Sequence, residues 1–173
     1  GMRFGYQTIA WGPVIPNIRE LDRILQVISD AGFTGVEFAQ KPKRMGCEGS
    51  PTKLMELLNK HKLELVGLAG GKVEERIEFC QKERRGLRPY LYVEDVTQED
   101  QKLAAGFEKP FQLALHAHVF KKIQHLSDVL PLLETHKSLQ WLPDTAHLWI
   151  AGDDPVNAIR DTYERLEAVH LMD

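Results

Sequence analysis

The sequence has no surplus of positive charge and no long apolar run. Its 22 lysines and arginines stand against 25 aspartates and glutamates, which gives a formal net charge of -3. A protein that grips a phosphate backbone would be expected to carry a basic surplus. No apolar run approaches the ~20 residues needed to cross a bilayer, and the N-terminus lacks the charged-then-apolar pattern of a secretory signal. We therefore expect no nucleic-acid partner, no membrane partner and a cytoplasmic location.

Cysteine is also scarce. The chain has 2 cysteines, Cys47 and Cys80, far apart and flanked by ordinary loop and helix residues. That spacing favours two free thiols over a disulfide or a metal-binding pair. With 43% hydrophobic residues over 173 positions, the chain is long enough and apolar enough to bury a core.

Short strand-like runs alternate with amphipathic helical segments along the whole chain. The first helix shows the pattern clearly, because Asn17 and Glu20 have capping-box spacing and an apolar stripe follows until Gly32. Alternation of this kind predicts parallel strands joined by helices. We predict seven strands and six helices. The predicted strands are 3–8, 34–38, 63–68, 88–94, 111–116, 139–142 and 167–171.

Three of these runs end in histidine, and one also ends in a carboxylate. They are Leu113 to His118, Leu139 to His147 with Asp144, and Ala168 to His170. Because the carboxyl ends of neighbouring parallel strands meet at one edge of a sheet, we expect these side chains to share a site. Imidazole nitrogens and carboxylate oxygens are common ligands of zinc, manganese and related cations. The alternative for Asp144 is a simple helix cap.

Four short motifs carry a resemblance to a known family. They are Leu-His-Ala-His at 115–118, Asp-Thr-Ala-His at 144–147, Gly-Asp-Asp-Pro at 152–155 and Val-His-Leu-Met-Asp at 169–173. The opening stretches 4–7 and 28–38 also resemble the first part of that family's sequences, including its first helix and second strand. In order and spacing the chain resembles the xylose isomerase-like TIM barrels, a family of sugar isomerases and epimerases, inosose dehydratases and apurinic endonucleases.

The resemblance implies a (β/α) TIM-type barrel and a metal-dependent enzyme. It implies a sugar isomerase or epimerase that acts on a small keto-sugar or polyol through an enediolate-type intermediate. His170 resembles the family's metal histidine, and His116 stands where many relatives have a metal-binding glutamate. The implied ligands are thus His116, Asp144 and His170, with Mn, Zn, Co or Mg as the divalent cation.

Other residues are candidates for moving a proton or contacting the substrate. His116 and His118 alternate as side chains on one face of a strand do. Glu94, His118 and Glu37 are the candidate general bases, in that order. The expected substrate contacts are Trp11, His118 and His147.

The sequence departs from the family pattern in two places. Met172 stands where the family often has lysine. The chain reaches only seven predicted strands, so the eighth strand and its metal-binding glutamate are not found. We therefore expect a single TIM-barrel-like domain over 1–173 that is incomplete at its C-terminus, with a homodimer across the open edge as the alternative.

Three other functions stay open at this level. An inosose dehydratase-like lyase needs the same stabilisation of an enediolate. A non-catalytic sugar-binding relative would follow from loss of a ligand. An apurinic endonuclease is less well supported, because it would need more metal ligands and a basic surface.

Overall fold

The computed structural model describes residues 1–172, which form two compact units, Gly1–Leu91 and the remainder from Tyr92 onward. Asp173, the last residue of the Val-His-Leu-Met-Asp motif, lies outside the described residues. The strands are β1 Gly5–Gln7, β2 Gly35–Phe38, β3 Glu64–Leu68, β4 Tyr90–Val93, β5 Leu113–Leu115 and β6 Gln140–Trp141. The α-helices are α1 Ile18–Asp30, α2 Pro51–Lys60, α3 Val73–Gln81, α4 Gln98–Ala105, α5 Leu126–Thr135, α6 Thr145–Ile150 and α7 Pro155–Asp161.

The start of α1 confirms the predicted cap. The Asn17 side chain accepts a hydrogen bond from the backbone N–H of Glu20 at 2.9 Å. The stripe of apolar residues that follows at helical spacing is buried, so α1 packs through one face as its periodicity predicted. The buried residues of α1 are Leu21, Ile24, Leu25 and Ile28.

In the first unit, β1, β2, β3 and the start of β4 pair in sequence order, and every pair is parallel. One register position crosses all of them, because Gln7 pairs with Glu37, Glu37 with Gly67, and Gly67 with Tyr90. We call these four residues the polar row. The Tyr90 hydroxyl and the Gln7 amide both donate to the buried Glu37 carboxylate.

The second unit continues the same alternation of parallel strand and helix. The backbone N–H of His116 donates to the Val93 carbonyl at the end of β4, and β5 pairs with β6 in parallel. The seventh predicted strand, 167–171, is not a regular strand. Its segment runs parallel to β6 and makes two isolated bridges, Trp141 to Leu166 and Asp144 to His170.

The helix after Asp144 was predicted only through the alternative role of Asp144 as a helix cap. The structure has a short helix, α6, between β6 and α7, which raises the number of α-helices from the predicted six to seven in the described residues. Six residues are too few to display a helical period. Across the part of the chain that is described, six parallel strands alternate with helices. This arrangement is an incomplete α/β barrel of the predicted class.

None of the helices within residues 1–172 has the length and apolar character of a membrane span.

The polar row gives a test of the packing in the first unit. A Cβ added at Gly67 would lie 2.4 Å from Cε2 of Tyr90, so Gly67→Ala must displace the ring that reaches Glu37. We expect this overpacking to lower the free energy of unfolding by roughly 1–3 kcal/mol, measured by urea denaturation.

The control is the same substitution in a Tyr90→Leu background, which lacks the clashing ring atoms. There Gly67→Ala should cost much less, since the two residues couple through direct contact. Equal costs in both backgrounds would contradict the account of this packing.

Candidate functional site

Asp144 is the residue around which the histidines of the second unit gather. It caps α6, where its Oδ1 accepts a hydrogen bond from the backbone N–H of His147 at 3.0 Å. Its side chain is only 1% exposed. Because the cap occupies Oδ1, the other oxygen, Oδ2, is left to face the neighbouring side chains. The helix-cap alternative and the role in a polar cluster are therefore both satisfied by one carboxylate.

Three imidazoles surround Asp144 Oδ2. His116 Nε2 lies 3.1 Å away, and His147 Nε2 and His170 Nδ1 each lie 3.9 Å away. His116 follows β5, His147 lies in the first turn of α6, and His170 lies on the segment bridged to β6. The structure thus brings together the three predicted metal ligands and adds His147 to them.

Tyr92 and Glu94 extend this cluster on the side away from Asp144. The Tyr92 hydroxyl donates to Glu94 Oε2 at 2.6 Å and lies 3.0 Å from His116 Nδ1. A hydroxyl has one proton, and the shorter contact to a carboxylate takes it, so the Tyr92 oxygen accepts from His116 Nδ1–H. Sequence reasoning missed Tyr92. Its position two residues before Glu94 in the predicted strand 88–94, and so on the same face of that strand, was the available signal.

His118 lies in the turn after β5 rather than on the strand. Its Nδ1 lies 2.7 Å from the Val119 carbonyl, so this nitrogen bears the proton and Nε2 keeps the lone pair. The Val119 N–H in turn donates to His147 Nδ1 at 3.3 Å, which places the proton of a neutral His147 on Nε2. The two rings lie 3.8 Å apart between centroids. The turn therefore orients both imidazoles.

Burial and hydrogen bonding shift two ionisations in the cluster. Burial alone would raise the pKa of Asp144, but hydrogen bonds from His116 and from the His147 backbone outweigh it, so the pKa lies below its usual value. Burial lowers the pKa of His147, and attraction to Asp144 only partly opposes this. Asp144 is therefore ionised and His147 neutral near pH 7.

Two predicted site residues lie in the first unit. Glu37, a candidate base, is 2% exposed and accepts hydrogen bonds from Gln7 and Tyr90. Trp11 ends a short 3-10 helix and packs edge-on against Tyr6, with ring centroids 5.4 Å apart. Their roles as base and as substrate contact stay predictions.

The donor set of the second unit is compatible with a divalent cation. One ligand atom each from His116, Asp144 and His147 lies within 4.8 Å of the other two. A metal-binding histidine usually donates the N–H of its other ring nitrogen to a polar neighbour. His116 meets this requirement, because its Nδ1–H donates to the Tyr92 oxygen while its Nε2 faces the Asp144 carboxylate. His147 meets this requirement less well, since its Nδ1 accepts the Val119 N–H and leaves the proton on Nε2.

Searches with protein-family models and among curated proteins give no match for this chain. Solved structures do match. An L-ribulose 3-epimerase has a TM-score of 0.72 and 20% identity, covering 99% of this chain and 70% of its own. The 3-keto-D-glucoside 4-epimerase of E. coli has a TM-score of 0.70 and 16% identity, covering 100% and 80%.

A third match is the probable 3-DHS dehydratase of Bacillus anthracis. It has a TM-score of 0.68 and 19% identity, and the alignment covers 98% of this chain and 72% of that one. At these identities the likeness concerns the fold. It confirms that the chain has the fold its motifs predicted, that of the xylose isomerase-like TIM barrels.

Proposed function

We propose that this chain is a metal-dependent sugar isomerase or epimerase that acts on a small keto-sugar or polyol. The observation that carries the proposal is the buried Asp144 carboxylate with three imidazoles facing one of its oxygens. Two of the similar solved structures are sugar epimerases and support the same class. A carboxylate and several imidazoles at the carboxyl ends of barrel strands are the donors expected of a metal centre in this fold.

We assign His116, Asp144 and His170 as the ligands. His147 is the alternative to His170: both lie 3.9 Å from Asp144 Oδ2, and the ligand atom of His147 also lies within 4.8 Å of those of both His116 and Asp144. The hydrogen bond from Val119 supports His170 over His147, because it leaves a neutral His147 with a proton on Nε2 and no lone pair there. His147 is better suited to donate to a substrate oxygen, which is the substrate contact expected from the sequence.

A bound divalent cation would supply polarisation of the substrate carbonyl and its neighbouring hydroxyl. His118 is then the group best placed to move a proton, because Nε2 keeps its lone pair while Nδ1 is bound to the Val119 carbonyl. Proton removal beside the carbonyl gives an enediolate-type intermediate. Its negative charge would be stabilised by the Nε2–H of neutral His147.

Dehydration is the second candidate reaction. The probable 3-DHS dehydratase among the similar structures favours it, and it begins with the same loss of a proton beside a carbonyl. The two reactions differ afterwards, since a lyase expels a hydroxyl group and an epimerase returns the proton. One assay can therefore detect the shared step before the product is known.

The first test is proton exchange in heavy water. We expect the protein with Mn²⁺ to catalyse exchange of the sugar hydrogen next to the carbonyl for deuterium from the solvent. The panel consists of ketopentoses, ketohexoses and inososes, at least one of which should exchange, and proton NMR measures the loss of that hydrogen's signal. Asp144→Ala should lose both this exchange and bound Mn²⁺. Binding of Mn²⁺ with no exchange across the panel would contradict the isomerase and lyase proposals together and leave a sugar-binding relative.

The second test separates proton transfer from metal binding. His118→Asn should slow the exchange by about 10²–10⁴-fold, the usual contribution of a general base, with Mn²⁺ affinity little changed. The matched control is His136→Asn, since His136 lies at the C-terminal end of α5. Unaltered exchange in His118→Asn would remove His118 as the base and turn attention to Glu94.

A further inference from the structure

We propose that Tyr92 and Glu94 are positioning residues that hold the His116 ring with a proton on Nδ1 and with Nε2 directed at Asp144. Three consecutive contacts carry this inference. They are Glu94 Oε2 to the Tyr92 hydroxyl at 2.6 Å, the hydroxyl to His116 Nδ1 at 3.0 Å, and His116 Nε2 to Asp144 Oδ2 at 3.1 Å. The part that concerns metal affinity rests on the proposed function, and the part that concerns the imidazole proton does not.

The directions of the hydrogen bonds follow from the number of protons. The Tyr92 hydroxyl donates its single proton to Glu94 Oε2, since a carboxylate oxygen accepts. The Tyr92 oxygen then has only lone pairs to offer His116, and Nδ1 must be the donor. The opposite direction of these hydrogen bonds, from Glu94 to Tyr92 to His116, would require a protonated Glu94 carboxyl. On the other side of the ring, Nε2 faces the Asp144 carboxylate, which can only accept, so in the metal-free protein Nε2 donates to Oδ2 and a bound cation would replace that proton. The contacts therefore fix the orientation of the His116 ring and place a proton on Nδ1.

Packing and backbone contacts fix the same ring. The Tyr92 ring lies 4.7 Å from the His116 ring between centroids and 6.2 Å from that of His170. The backbone N–H of His116 donates to the carbonyl of Val93, the last residue of β4, which lies between Tyr92 and Glu94 in the chain. Glu94 follows directly after β4 and turns its carboxylate to the Tyr92 hydroxyl. One strand end thus controls both the place and the orientation of the imidazole.

Such a partner has a known physical effect on a metal ligand. An imidazole whose distal N–H is bound by a polar acceptor has a fixed orientation and a more basic ligand nitrogen, and loss of the acceptor typically weakens metal affinity 10–100-fold. Glu94 strengthens the acceptor, because the phenol that donates to a carboxylate presents a more negative oxygen to His116. This role differs from that of a base acting on substrate.

The test combines ring NMR with a metal titration on the full chain. Tyr92→Phe removes the hydroxyl and keeps the ring. In the metal-free protein we expect the ¹⁵N spectrum to show a proton on His116 Nδ1, protected from exchange, and to show that protection lost in Tyr92→Phe. Calorimetric titration with Zn²⁺ should show 10–100-fold weaker binding in the variant. The control is Tyr163→Phe, since Tyr163 is 74% exposed.

Glu94→Gln should give an intermediate loss of affinity, because the amide oxygen still accepts from Tyr92 without a charge. Tyr92→Leu should bind Zn²⁺ more weakly than Tyr92→Phe only if the ring packing also contributes. An unprotonated Nδ1 in the native protein would overturn the inference whatever the metal result. Equal Zn²⁺ affinities of the Tyr92→Phe variant and the native protein would also overturn it. If the native protein binds no cation, the proposed function is refuted, and the NMR result alone decides this inference.

Discussion

The Asp144 carboxylate has its two oxygens committed to different tasks, and the second unit is arranged around that division. Oδ1 caps α6, which fixes the place of His147 one turn along, and Oδ2 faces the imidazoles of three separate segments. An ionised carboxylate that is 1% exposed must be compensated by hydrogen bonds or positive charge. The His116 side chain and the His147 backbone N–H provide that compensation without a cation, and a divalent metal would provide it more fully.

The polar groups of the cluster are oriented by neighbours that do not face Oδ2. Tyr92 and Glu94 set the His116 ring, and the turn after β5 sets His118 and His147 through Val119. Neighbours of this kind determine which nitrogen of an imidazole bears a proton. They therefore determine whether the nitrogen that faces the site can bind a metal or can donate a hydrogen bond. The same cluster of histidines can thus supply a ligand, a base and a donor from chemically identical side chains.

The fold and the convergence of the histidines could be predicted because both follow from short-range patterns. The cap at Asn17 and the apolar stripe of α1 are local, and parallel strands bring their carboxyl ends together whatever the loops contain. The motifs after β5 and β6 and at 169–172 therefore met as expected.

Contacts between side chains distant in sequence could not be predicted in this way. The bond between Tyr92 and His116 spans 24 positions, and that between Tyr90 and Glu37 spans 53. Neither leaves a periodic signal. The seventh predicted strand is reduced to two isolated bridges, and its neighbour β6 has only 2 residues in regular pairing.

Anomalous diffraction from crystals of the protein grown with Mn²⁺ would test the central claim most directly. The account predicts one strong anomalous peak within bonding distance of Asp144 Oδ2 and His116 Nε2, with His170 as a further ligand. A crystal saturated with Mn²⁺ that shows no peak beside Asp144, with His116 still hydrogen-bonded to the carboxylate, would contradict it.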